Sequence, residues 1–225
     1  MNNLGIKVVG AVNSLANFLS VPDEIYGSGL DGNVTIGTNT TLSRDMYYNN
    51  LTIADDVHLN TNGYRVFVRN ILIMSSSSGK KTTTSIGLKN GSSATGSLGS
   101  GKTVAATNSL GGASASYTVT APTQTGYFDF ARQAIQGFMF NASQTTPLAL
   151  NGGAGNGTNP GGGVVIVSAR KISGYGSIIA DGYNNGSAYV TGGGVIIIAS
   201  QKAITSDIAT SVVGYANGTL KQFVV

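Results

Sequence analysis

The sequence predicts a mainly β protein wound as a parallel β-solenoid with a short N-terminal helix, and three observations carry that prediction. The first is a repeat. Gly161-Gly162-Gly163 runs into Val164-Val165-Ile166-Val167 and reaches Lys171; Gly192-Gly193-Gly194 runs into Val195-Ile196-Ile197-Ile198 and reaches Lys202, with both landmarks offset by 31 residues. One structural unit laid on another produces such a pattern. The second is the chemistry of the runs. Four β-branched residues in a row favour extended backbone and do not alternate with polar ones, so both faces of each strand must be covered, by this chain or by a neighbouring one. The third is spacing. Within the unit, Ile178-Ile179 and the turn-forming Asp181-Gly182-Tyr183-Asn184-Asn185-Gly186 leave no room for a helical crossover in 31 residues.

Composition narrows the function classes. Charged residues are 10% of the 225 and glycine contributes 33, while the 41% hydrophobic content suffices for a core. The surface must therefore consist largely of Asn, Ser, Thr and Gly, which suits an extended β protein in an assembly. The net charge of +4 comes from thirteen scattered Lys and Arg. Their only adjacent pairs are Lys80-Lys81 and Arg170-Lys171, so no concentrated patch suits nucleic acid. The absence of cysteine excludes disulfides and thiolate metal sites. Val8 to Leu19 has the apolarity of a signal h-region, but Asn13, Ser14 and Asn17 interrupt it; the chain is expected to carry neither a cleaved signal nor a membrane span.

Taken in order, residues 1–25 form the first division. Leu4, Val8, Val12, Leu15 and Leu19 lie on one face of a helix that Pro22 closes. That helix is expected either to cap the end of the solenoid or to dock the protein on a larger particle. Residues 26–74 supply the first coils, marked by the alternating pairs Val34/Ile36, Leu51/Ile53, Val57/Leu59 and Val66/Val68. Inward residues of such pairs stack from coil to coil at the strand spacing.

The stretches Gly32 to Ile36, Thr40 to Ile53 and Leu59 to Val68, together with the later glycine triplets and their Val/Ile runs, resemble tailed-bacteriophage virion proteins of the tail, fibre or receptor-binding kind. The resemblance covers about Gly27 to Leu72 and Gly161 to Ala199. It implies a right-handed parallel β-helix, commonly trimeric, and a place on the particle; it contains no catalytic signature.

Residues 75–116 are rich in Gly, Ser and Thr and read as an exposed insertion. Residues 117–225 return to solenoid coils, beginning with the densest aromatic stretch, Tyr127 to Phe140. There the spacing of Phe128, Ala131, Ile135 and Phe138 suits a short helix, while Phe138/Phe140 alternate as in a strand. An aromatic cluster of this kind is core, or, if exposed, a contact for a glycan or partner.

Motifs that offer chemistry mostly fail on context. Gly96 to Thr103 matches the P-loop pattern literally, but no strand precedes it and the chain after it runs into Gly111-Gly112. His58, the only histidine, sits between Val57 and Leu59 and is expected on the surface or between coils. The nine acids include the adjacent pairs Asp23-Glu24 and Asp55-Asp56, which read as turns because neighbours on an extended chain point apart; Asp181 also falls in a turn. Asn-X-Ser/Thr at Asn33, Asn39, Asn50, Asn90, Asn141, Asn156, Asn185 and Asn217 reads mainly as turn chemistry.

With that resemblance, the expectation is a non-enzymatic virion protein of the tail-fibre or spike kind that contributes to host attachment, without cofactor or metal, assembled in the host cytoplasm as a homo-oligomer, a trimer for preference. Its partners would be capsid, portal or tail proteins and a host surface glycan, with Tyr183, Tyr189 and Phe138 as glycan or partner contacts. Head decoration is the nearest alternative, a glycan depolymerase using an Asp/Glu pair is the enzymatic one, and a cellular adhesin is a third class. At least part of one Val/Ile run, Val165 or Ile197, is expected against another subunit.

Overall fold

The computed structural model describes residues 25–77, 83–91, 94, 98, 101–107, 109–121, 138–139 and 148–225. The protein is mainly β, and its described residues are almost free of helix. Its strands are β1 (Asn33–Ile36), β2 (Thr40–Thr41), β3 (Met46–Ile53), β4 (His58–Asn60), β5 (Val66–Ser75), β6 (Ser85–Leu88), β7 (Phe138–Met139), β8 (Leu148–Ala149), β9 (Val164–Ala180), β10 (Val195–Ser200), β11 (Ile208–Ser211) and β12 (Thr219–Val224). Ten of them form one continuous, nearly closed parallel sheet.

Successive stretches of chain add a strand to each of two walls, in sequence order. One wall reads β1-β3-β5-β9-β10-β12 and the other β2-β4-β6-β9-β11; the long β9 turns the corner and belongs to both. Among the described strands, β7 and β8 pair antiparallel and form a separate two-stranded sheet.

Register explains the core. Val34, Leu51, Leu72 and Ile172 occupy one column across neighbouring strands, and Leu59, Ile86 and Ile178 another. All but the partly buried Val34 and Ile172 are sealed in the same apolar cluster. Each fully buried aliphatic side chain contributes about 1.5–3 kcal/mol. The alternating pairs of residues 34–68 thus point inward as the sequence predicts. Polar side chains repeat across strands in the same way: Asn70 Nδ2 donates to Asn49 Oδ1 at 2.7 Å, and Asn49 and Asn50 both donate to Asn33 Oδ1, at 2.9 and 2.7 Å. At the other corner Asp45 accepts from Arg65 Nε and from its backbone N–H.

The other face of β9 and β10 is also closed. Val164, Ile166, Val195, Ile197 and Ala199 pack with Phe67, Leu98 and Leu150, while Ile25 and Leu110 lie against them. Tyr47 stacks on Phe67, with ring centroids 5.0 Å apart. Val165 and Ile197 are both fully buried. The cover that the Val/Ile runs demand is therefore present within a single chain, and the neighbouring subunit invoked for it is not needed. The cover comes from described residues of the connection after β6, Leu98, Leu110 and Leu150, which pack on this wall instead of projecting as an exposed insertion. Within 75–116, Ser85–Leu88 is a fully buried strand of the sheet, and Leu98, Ala106 and Ser109 are buried as well. The helix expected over Leu4, Val8, Val12, Leu15 and Leu19 lies outside the described residues.

Candidate functional site

Three connections leave the second wall and return to the first at the same corner: 89–163 before β9, 181–194 before β10 and 212–218 before β12. All are glycine-rich, and their described residues assemble into a layer held mainly by backbone hydrogen bonds. Gly153 N–H donates to Gly162 O at 2.8 Å, Gly162 N–H to Gly192 O at 2.9 Å, Gly192 N–H to Ala154 O at 2.8 Å, and Ala154 N–H to Gly112 O at 3.0 Å. Gly112 N–H in turn donates to Gly193 O at 2.7 Å, and Gly193 N–H to Ala216 O at 3.0 Å. Extended segments this close leave no room for Cβ: one built on Gly192 would sit deep inside contact distance of Gly112 O, and one on Gly101 against Gly161 O.

This layer positions the tyrosines. Asp181 anchors its start, accepting from Ser211 Oγ at 2.6 Å and from Val213 N–H at 2.8 Å, so that the 181–194 and 212–218 connections are tied together. From there the chain makes a hairpin. Asn184 bridges Tyr189 in antiparallel fashion, Val190 N–H donates to Tyr183 O at 3.0 Å, and Asn185 Oδ1 accepts from Ser187 and Ala188 N–H at the tip. Tyr183 and Tyr189 are thereby brought to neighbouring cross-strand positions, both half-buried, with residues 185–188 exposed between them. Tyr215, 62% exposed, joins the same edge because its N–H donates to Thr191 O at 2.8 Å. Sequence reasoning missed it, although a signal was present: Gly182-Tyr183 and Gly214-Tyr215 repeat the same dipeptide 32 residues apart. Phe138 lies in β7, opposite Ala149 and away from the ten-stranded sheet.

Several ionisable residues, Asp31 and Asp55 among them, are bound into the scaffold. Asp31 accepts from Arg44 and from Tyr47 N–H, and the Arg44 guanidinium holds its carboxyl below the usual range. Asp55 accepts from Ser77 and Thr83 hydroxyls and from Asp56 N–H, and the Ser77 bond chiefly lowers it; Asp56 occupies the left-handed region, φ 58°, of a tight turn. The Asp31 and Asp55 carboxylates are thus turn and cross-strand groups bonded to donors and not to another acid. Asp23-Glu24 lies outside the described residues. Among the described residues no cluster of His, Asp or Glu could hold a metal ion.

His58 is an inter-strand histidine. Its Nδ1 lies 2.9 Å from Ser85 Oγ on the adjacent strand, and its backbone N–H donates to Asn39 Oδ1. Ser85 is fully buried and has no approach for a substrate. Burial, aided by the Lys89 charge, pushes His58 down to about 4. Because this is a base whose folded value falls below its unfolded 6.5, the unfolded chain binds the proton first on acidification. Stability is then complete above about pH 6.5 and is lost as pH falls toward 4. Discounted for partial exposure, the loss is on the order of 1–2 kcal/mol. Urea denaturation at pH 7 and pH 4.5 is expected to show it, and His58→Gln to shrink it; an undiminished loss in the variant would refute the assignment.

The P-loop match dissolves into the glycine layer. Lys102 N–H donates to Gly153 O, Gly161 N–H to Lys102 O and Gly157 N–H to Thr103 O, and the described residues from 101 to 121 form no helix. Several sequon asparagines serve turns and cross-strand bonds as expected, among them Asn33, Asn39, Asn156 and Asn185. No described helix is long and apolar enough to cross a membrane. No protein-family model, curated protein or solved structure matches the chain.

Proposed function

We propose that this chain is a non-enzymatic structural protein of a virion, a tail-fibre or spike component that contributes to host attachment, with its strands wound as a right-handed β-solenoid. The observation that carries this reading is the glycine layer. It fastens the 183–190 hairpin and Tyr215 to a stiff parallel stack through backbone bonds, and so presents aromatic side chains at an edge that ordering entropy would otherwise disfavour. Tyrosine rings in that setting suit stacking on a sugar face. The resemblance of Gly27 to Leu72 and Gly161 to Ala199 to bacteriophage tail and fibre proteins points the same way. In this reading the protein assembles with itself, as a trimer for preference, and the region of Leu4, Val8, Val12, Leu15 and Leu19 attaches it to capsid, portal or tail proteins. Head decoration is the second reading, favoured by the same stiff, weakly charged body.

Quantitative mass spectrometry of purified particles tests this. A few copies per particle are expected for a spike and hundreds for a shell component; absence from particles overturns both. Tyr183→Ala combined with Tyr189→Ala is expected to cut adsorption to host cells at least tenfold without lowering copy number. Release of reducing ends from host polysaccharide by the purified protein would overturn the non-enzymatic assignment in favour of a depolymerase.

A further inference from the structure

The two copies of the 31-residue repeat part company after their glycine and Val/Ile runs. In the first, the chain stays extended through Arg170 and Lys171 to Ala180. In the second, β10 ends at Ser200, whose Oγ–H donates to Lys202 O at 2.6 Å, and residues 201–207 leave as a loop that returns at β11. The wall therefore lacks a piece of strand. Pairing of β10 with β9 stops at Ala199 opposite Ser168, and pairing of β11 with β9 starts at Ile208 opposite Gly176. Between these points residues 171–175 pair with β5 on one side and, among the described residues, with no strand on the other. Two bonds pin the ends of the gap: Gln201 N–H to Arg170 O at 3.0 Å and Gly176 N–H to Asp207 O at 3.3 Å.

The gap is a groove of about 540 Å³, bounded by residues 170–175 along β9 and by the 201–207 loop. Five residues of strand edge span roughly 16 Å, which takes about five residues of extended chain. The loop sends Ile204 into the core, so the interior is closed and the opening lies at the backbone edge. Its floor is partly apolar, from Ile172, Tyr175 and Ala203. Its charge is one-sided: Lys171 and Lys202, the lysines that mark the repeat, are both exposed beside it, against the single carboxylate of Asp207, while the half-buried Arg170 carries its guanidinium over the Tyr26 ring. An open strand edge selects a partner by main-chain hydrogen bonds, and a surplus of cations selects its side chains.

We propose that this groove is a strand-acceptor site for an extended acidic peptide segment of a partner protein, which supplies the missing strand beside β9 and sets carboxylates against Lys171 and Lys202. The proposal does not depend on the chain belonging to a virion.

The test uses the full chain and a fluorescein-labelled peptide of alternating glutamate and valine, nine residues long, read by anisotropy and by amide hydrogen exchange. Saturable binding is expected, with slowed exchange confined to the amides of 171–175 that do not bond to β5. Lys171→Glu combined with Lys202→Glu should weaken binding at least tenfold, and because both side chains are exposed the fold should be unaffected by circular dichroism. An analogue methylated at alternate backbone nitrogens should not bind. Equal binding of the methylated analogue, displacement of the peptide by oligogalacturonate with no amide protected, or absence of binding at millimolar peptide would each overturn the proposal; the second result would identify an anionic-glycan site instead.

Discussion

Gly192→Ala is expected to be among the most damaging single-methyl changes at the described residues, lowering stability by about 3 kcal/mol or more. The added carbon would collide with backbone atoms of Gly112 and with Ala113 O, which cannot swing aside as a flexible side chain could. Relief requires separating segments whose bonds, Gly112 N–H to Gly193 O and Gly192 N–H to Ala154 O, bind the 89–163 and 181–194 connections, beside Gly193 N–H to Ala216 O, which adds the third. For a chain of this size that corresponds to a fall of about 6–12 °C in Tm. Gly37→Ala is the control: nothing lies within 4 Å of a Cβ built there and its backbone is not left-handed. It should change stability by less than about 1 kcal/mol, and reduced freedom of the unfolded chain can even make it stabilising. Equal melting curves for the two variants would show that the layer is not closely packed.

Ile197→Asp is expected to prevent cooperative folding, a loss above about 4 kcal/mol, because it places a carboxylate in a sealed apolar cluster without a partner. Ile197 is 0% exposed and packs on the outer side of β10, in a cluster with Leu98, Leu150 and Phe67. Lys221 occupies the same column one strand further on, in register with Ile197, and is exposed. Lys221→Asp should therefore stay within about 1 kcal/mol of the parent. Chemical denaturation at low protein concentration distinguishes the origins of the effect. If the outer face were closed only by a second subunit, the dilute parent would melt as early as Ile197→Asp; the closure described above predicts a parent stability independent of concentration.

The sequence was informative wherever a signal repeats at the period of a strand. Val34/Ile36, Leu51/Ile53, Val57/Leu59 and Val66/Val68 predict their inward columns, because alternation records a one-sided environment and a one-residue slip would turn every pair outward. The uninterrupted Val164 to Val167 and Val195 to Ile198 runs likewise predict strands covered on both faces. They cannot say what does the covering. That depends on residues far along the chain, Leu98, Leu110 and Leu150, which carry no period because each lies in a connection between strands. β6 was missed for a related reason: Ser85-Ile86-Gly87-Leu88 is short, polar at one position and set among Ser, Thr and Gly, and only its pairing with β4 and β9 makes it a strand.

The candidate sites divide along the same line. Tyr183 and Tyr189 were legible because a turn sequence, Asn184-Asn185-Gly186, lies between them; Tyr215 was not, since it reaches the same edge through a bond to Thr191 formed after the glycine segments pack. The groove beside Lys171 and Lys202 is legible as a repeat and invisible as a gap, because the sequence shows two copies and only the fold shows that the second leaves the wall where the first continues.

By itself, then, the sequence determined a mainly β chain with stacked strands and a surface poor in charge, since these follow from composition and local periodicity. The tertiary structure alone decided that the glycine-rich connections close over the chain's own strands, because hydrogen bonds between backbones without Cβ atoms obey proximity rather than sequence spacing.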